Sequence, residues 1–307
     1  MGIKLQNYIN NYHKKQSETK EIRKTFYAQS AATLAMAAIP ILAITEKISK
    51  IQKELTKDEV EIVNNALDDI ISNKTNLGQK GVKIEHVASS ISSTKFPNNL
   101  FKYFSTAEQF AQGRNACFMP KRNIVKLNRD KAPILGLHEL GHAFNANNSV
   151  FLKTMQKTIK YGKLFALGFA FLPILTKEEK ACENKELTKK QKFKNILRKV
   201  SPLLAFISFI PTLTEEAIAS IRGCAWAKEL LNKDLYKKVA KTNTIAYVSY
   251  LLTALSFSAL ALVGKLAKDK KSNLEKTKTI GQTQNNKNIA DFKSFKLKTQ
   301  NKKHSKT

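Results

Sequence analysis

From Ile245 to Gly264 the chain runs without a single charged side chain: IAYVSYLLTALSFSALALVG. A helix of about twenty residues is about 30 Å long, which matches the hydrocarbon thickness of a bilayer. Tyr247 and Tyr250 stand near one end of this run, where aromatic side chains favour the membrane–water boundary. A second block, Phe26 to Thr45, is Ala- and Ile-rich and follows a polar, basic segment (residues 1–25) with Lys14, Lys15, Lys20, Arg23 and Lys24. Pro40 is tolerable in a spanning helix. No small-x-small cleavage pattern follows Ile44, where Thr45-Glu46-Lys47 stand instead, so residues 26–45 are expected to be an uncleaved transmembrane anchor. Leu164–Thr176 and Val200–Thr214 are apolar too, but each is shorter than a full span. They could lengthen by snorkelling of Lys160 and Lys163, dip in as a hairpin, or pack as a helical core. The fold class expected is a mainly α membrane protein.

The 53 Lys and Arg against 24 Asp and Glu give a formal charge of +29. The excess is nearly all Lys and Asn is abundant too, a bias of the kind an AT-rich genome imposes, so nucleic-acid binding is not expected, while membrane lipids are expected partners because a basic protein can favour anionic lipid surfaces. Residues 177–199 read as a solvated loop, and residues 265–307, rich in Lys, Asn, Gln and Thr, as a disordered tail. Cys117, Cys182 and Cys224 are odd in number and widely spaced, which implies no disulfide framework.

Chemistry enters at Leu135-Gly136-Leu137-His138-Glu139-Leu140-Gly141-His142-Ala143-Phe144. On a helix, His138 and His142 project the same way and can hold one Zn²⁺ from a single rigid element. Glu139, between them, is placed to take a proton from an activated water rather than to ligate. Pro133 suits the first turn of this helix, and Gly141 suggests close packing or the close approach of a substrate. A peptidase centre of this kind needs a third protein ligand and an open fourth position. The candidate stands in Thr212-Leu213-Thr214-Glu215-Glu216-Ala217-Ile218-Ala219-Ser220-Ile221-Arg222. Thr212 and Glu215 fit a capping box, which gives Glu215 a role at a helix start and leaves Glu216 as the ligand. Taken alone, the segment also fits an ordinary acidic helix N-terminus. Ser220 and Arg222 are candidates to stand behind the ligands and orient them.

His-Glu-x-Gly-His-Ala, two apolar segments, Glu-x-x-Ala-Ser-x-Arg and a last apolar helix together resemble the neutral zinc metallopeptidase family of bacterial membrane proteins (the YugP-like family). The similarity runs from about Leu55 to Gly264. It departs in Leu140, where Cys is common, and in Gly223, where Ala is usual. The resemblance implies a zincin-like helical core with a small β-hairpin or sheet beside the HExxH helix, a residue 55–264 peptidase domain, and a gluzincin-like site of His138, His142 and Glu216 with Glu139 as base. It implies a membrane-bound metalloendopeptidase in a bacterial plasma membrane, acting on protein or peptide. The alternative is an inactive scaffold that keeps the fold for partner binding.

The remaining elements follow from pattern. Thr56-x-x-Glu59 opens an amphipathic helix that Gly78 and Gly81 end. Val82–Val87 alternates as a strand, with His86 in it as a strand residue. Ala116–Met119 and Ile124–Leu127 are two short strands across Pro120-Lys121-Arg122-Asn123. Ile124, Val125, Lys126 and Leu127 are expected to form a substrate edge, where an extended peptide can pair. An even number of crossings must separate His138 from Glu216. The positive-inside rule would place the amino end, the 177–199 segment and the tail in the cytoplasm and the metal site outside.

Overall fold

A computed structural model of the chain describes residues 43–88, 106–176 and 186–304, with the single positions 17, 24, 178 and 179, and side chains as far as 269. The basic segment 1–25, apart from positions 17 and 24, and the expected anchor over 26–45, apart from its last three residues, lie outside the described residues. Residues 43–53 are helical and lead into α1, Lys57–Asp69. Its capping box is complete: Glu59 N–H donates to Thr56 Oγ1 (3.2 Å) and Thr56 N–H to Glu59 Oε2 (2.9 Å). Val63, Ala66 and Leu67 form its buried face. The helix runs into a π turn, Ile70–Lys74, ahead of the glycines expected to end it.

The strands form where the alternation placed them: β1 Lys83–His86, β2 Cys117–Met119 and β3 Ile124–Leu127. Between β1 and β2 lies a short helix, α2, Thr106–Ala111. The sheet order is β1-β3-β2, with β1 parallel and β2 antiparallel to β3. Lys83 pairs with Ile124 and His86 with Leu127, while Phe118 pairs with Val125. This corrects the expectation for Ile124, Val125, Lys126 and Leu127. Their strand is paired on both sides and has no backbone edge to offer; among the described residues β1 and β2 are the outer strands. The β2–β3 turn is closed by Asn123 at φ 54°, a left-handed position that asparagine tolerates. His86 accepts from the Arg129 N–H at Nδ1 (3.1 Å), outside the metal site. Arg129 also reaches Asn64 (3.0 Å) and Asp68 (2.6 Å), tying the end of β3 to α1.

Helix α3, Pro133–Asn148, carries His-Glu-x-x-His, with its proline in the first turn. It lies against the sheet and α1 through Ile134, Leu137 and Leu140, all fully buried. Two helices that the sequence showed only in part follow. α4, Val150–Leu175, is N-capped by Ser149, whose Oγ accepts from Leu152 N–H (3.3 Å). The apolar block at 164–176 is therefore the second half of a 26-residue helix about 39 Å long. α5, Lys189–Ile207, starts at a capping box of Thr188 and Gln191 inside the stretch expected to be loop. α6, Ile210–Leu230, begins after a turn at Ser208-Phe209, so the apolar block 200–214 straddles a bend.

α7 extends over Lys233–His304 and contains the 245–264 run. The backbone thus stays helical through most of the stretch expected to be disordered. After Pro211 the chain has no proline, and Lys, Leu, Ala and Glu are good helix formers, so a helix already nucleated in the apolar run meets little to stop it.

Three helical stretches, Val150–Leu175, Lys189–Leu230 and Lys233–Asp269, are long and apolar enough to cross a membrane. Leu164, Phe165, Leu175, Leu203, Ile207, Leu255 and Leu262 on them are exposed, an apolar surface larger than a water-soluble protein ordinarily leaves uncovered. Where the helices do meet, Ala166, Phe209, Leu213 and Ala254 make a small core. The protein is mainly helical, carries a small three-stranded sheet, and has the helices of a membrane protein.

Candidate metal centre

The centre is built where α3 and α6 cross antiparallel at backbone distance. A Cβ at Gly141 would collide with the Ala219 carbonyl oxygen, and one at Gly223 would stand 2.9 Å from the Leu137 carbonyl oxygen. The approach needs glycine at both places.

This contact brings His138, His142 and Glu216 together. His138 Nε2 lies 3.1 Å from Glu216 Oε2 and 2.9 Å from His142 Nε2, and His142 Nε2 lies 3.5 Å from Glu216 Oε2. Ligands about 2.05 Å from a tetrahedral zinc are about 3.3 Å from one another. The three atoms therefore stand at the separations one such ion imposes. His138-Glu139-His142 and His142-Glu215-Glu216 are the groupings that could hold a metal ion among the described residues.

The far nitrogens of both imidazoles are also engaged. Ser220 Oγ is 3.2 Å from His138 Nδ1, and Glu215 is ion-paired with His142 Nδ1. With the Nδ1 protons directed outward, both Nε2 lone pairs point to the centre. Ser220 thus stands behind His138. Arg222 is one step further out: its Nε donates to Asn145 Oδ1 (2.7 Å), and Asn145 Nδ2 donates to Glu215 Oε1 (3.1 Å). Its guanidinium also lies over the Phe144 ring at 4.5 Å.

Glu215 is the residue the sequence misassigned. Pro211 and Ile210 start α6 ahead of Thr212, so Thr212 is interior and its Oγ1 is buried without a hydrogen-bond partner. No capping box forms there. Glu215 is instead buried, 1% exposed, and accepts from Asn145, from Gln156 Nε2 (2.6 Å) and from His142. Gln156, on α4, also donates to the His142 carbonyl (2.9 Å). Tyr250 on α7, expected only at a membrane boundary, has its hydroxyl directed at Glu216. The signals for Asn145, Gln156 and Tyr250 are purely three-dimensional; none falls in a local motif.

Glu139 sits on the other side of the imidazoles, and Phe118 N–H of β2 donates to its Oε2 at 2.7 Å. Burial raises the Glu139 pKa above its ordinary value, against the opposing pull of His142, His138 and the Phe118 amide. For His142, burial alone would lower the pKa, but hydrogen bonds that it donates to Glu215 and Glu216 outweigh it and hold it well above the ordinary histidine range. A proton held between carboxylates is what a divalent cation in the same place would displace.

No family model, curated protein or solved structure matches this chain. What the protein does must be read from its own side chains.

Proposed function

We propose that the protein is a membrane-bound zinc metalloendopeptidase with a zincin-like core. The observation that carries this reading is the convergence of His138 Nε2, His142 Nε2 and Glu216 Oε2 at 2.9–3.5 Å, with both Nδ1 atoms engaged from behind and Glu139 beside them. Two imidazoles and one carboxylate form a donor set suited to Zn²⁺ with a fourth position open. Bound there, the ion would supply Lewis acidity, bringing the pKa of a water towards about 7 and polarising a peptide carbonyl.

Glu139 then accepts the water's proton and delivers it to the leaving amine. One of its oxygens is held by the Phe118 amide, which leaves the other for the proton. Burial keeps its pKa raised, closer to that of a base that must also give the proton up. Glu215 and Ser220 hold the imidazoles in the ligating tautomer. An extended peptide would pair with β2 rather than β3. Phe118 directs its backbone groups away from β3 on the side of Glu139, and in an antiparallel pair such outward residues leave their carbonyls available.

The test is peptide hydrolysis by detergent-purified protein and by Glu139→Gln, with metal content measured in both. The proposal expects about one zinc per chain in each and hydrolysis by the parent alone. Hydrolysis by a zinc-loaded Gln variant would remove Glu139 from the chemistry.

A further inference from the structure

Beside the carboxyl-terminal end of α3, the turn between β2 and β3 and the first half of α4 enclose a groove of about 890 Å³. Five lysines line it: Lys121 from the turn, and Lys153, Lys157, Lys160 and Lys163 from α4. Lys153, Lys157 and Lys160 recur at helical spacing and share one face. Among the described residues no carboxylate lines the groove and none of the five lysines has an ion pair. Asn147, also in the lining, donates from Nδ2 to Asn123 Oδ1 (3.3 Å). Five like charges around one concavity repel one another, and an anion seated among them relieves that repulsion.

Its place in the fold says which anion. The lysines occupy the turns of α4 just before its apolar half, where Leu164 is 63% and Phe165 60% exposed. Tyr161, with Lys160 Nζ 4.6 Å from its ring centroid, stands at the same level. Lysines and a tyrosine next to outward-facing apolar side chains are what the headgroup layer favours. A groove that is cationic within and continuous with such a face suits a molecule with a phosphate head and an apolar tail. We propose that this groove binds the headgroup of an anionic phospholipid, with the acyl chains along the exposed face of α4. The inference does not depend on the peptidase reading, since its test needs no hydrolysis.

The full chain would be released for native mass spectrometry from detergent micelles doped with equal amounts of phosphatidylglycerol and phosphatidylcholine. One retained phosphatidylglycerol is expected, preferred over phosphatidylcholine by about tenfold or more. Lys153→Gln/Lys157→Gln/Lys160→Gln should bring that preference to near one. Lys189→Gln/Lys190→Gln/Lys199→Gln, an equal charge change at the other flank of the apolar helices, should leave it. All six side chains are exposed, so thermal stability should hold in both variants. Equal loss in the two variants, or no headgroup preference in the parent, would overturn the proposal. So would a Glu-rich peptide whose binding to the parent is unaffected by phosphatidylglycerol and is lost in the first variant, which would make the groove a peptide site.

Discussion

Replacing Glu215 by Gln tests the part of the centre that local sequence misread. The carboxylate receives three donors: Asn145 Nδ2 and Gln156 Nε2 on Oε1, and His142 Nδ1 on the other oxygen. An amide has one oxygen and one NH2 group. If the amide oxygen of the variant stays with Asn145 and Gln156, its NH2 faces His142 Nδ1. The imidazole must then carry its proton on Nε2, the atom that would ligate. If the amide turns over, the NH2 meets two donors instead. Loss of a partner behind a ligand typically costs about 10- to 100-fold in metal affinity. Zinc affinity of Glu215→Gln should fall by that amount, and Glu216→Gln, which removes a ligand, by more. Competition against a chromophoric chelator measures both, with thermal unfolding as a check on the fold. A Glu215→Gln affinity within about threefold of the parent would refute the role assigned to this carboxylate. A larger loss in Glu215→Gln than in Glu216→Gln would exchange the two residues.

Zinc uptake by the metal-free protein should depend on pH, because His142 is held protonated above its ordinary range and ligation must expel that proton. The affinity should be lost as pH falls through the raised pKa and rise by up to about tenfold per unit of pH below it; a flat profile from pH 6 to 8 would contradict the geometry. Gly141→Ala should lower stability by about 1–3 kcal/mol and loosen the metal, because its methyl meets the Ala219 backbone. Gly168→Ala, with nothing within 4 Å, should be neutral or gain up to about 1 kcal/mol, and scanning calorimetry compares the pair. The chain should stay with membranes through alkaline carbonate; release would mean that the apolar faces of α4, α5 and α7 are covered by protein instead of lipid.

Features that depend on neighbours in sequence were legible before the fold. The His138–His142 spacing, the α1 capping box and the alternation of the three strands are local, and each stands where it was expected. Glu216 was preferred to Glu215 on the strength of a capping box that does not form, and it stands beside His138 because the α3–α6 contact brings it there. What depends on where an element begins, or on what lies across from it, was not legible. Thr212-x-x-Glu215 has the letters of a cap, but Pro211 starts the helix earlier and turns Glu215 inward. Ile124–Leu127 looks like an edge until β1, forty residues upstream, pairs with its other side. Gln156 and Asn145 became part of the centre only through contacts across 59 and 70 residues.

The central claim is that two imidazoles and a carboxylate of this chain hold one zinc ion. X-ray absorption at the zinc edge of the loaded, detergent-purified protein measures it directly. Four nitrogen or oxygen neighbours at about 2.0–2.1 Å are expected, with the outer-shell pattern of two imidazoles, and loss of one near oxygen scatterer in Glu216→Gln. Sulfur at about 2.3 Å, which would bring in Cys117 or Cys224, or the pattern of a single imidazole, would contradict it.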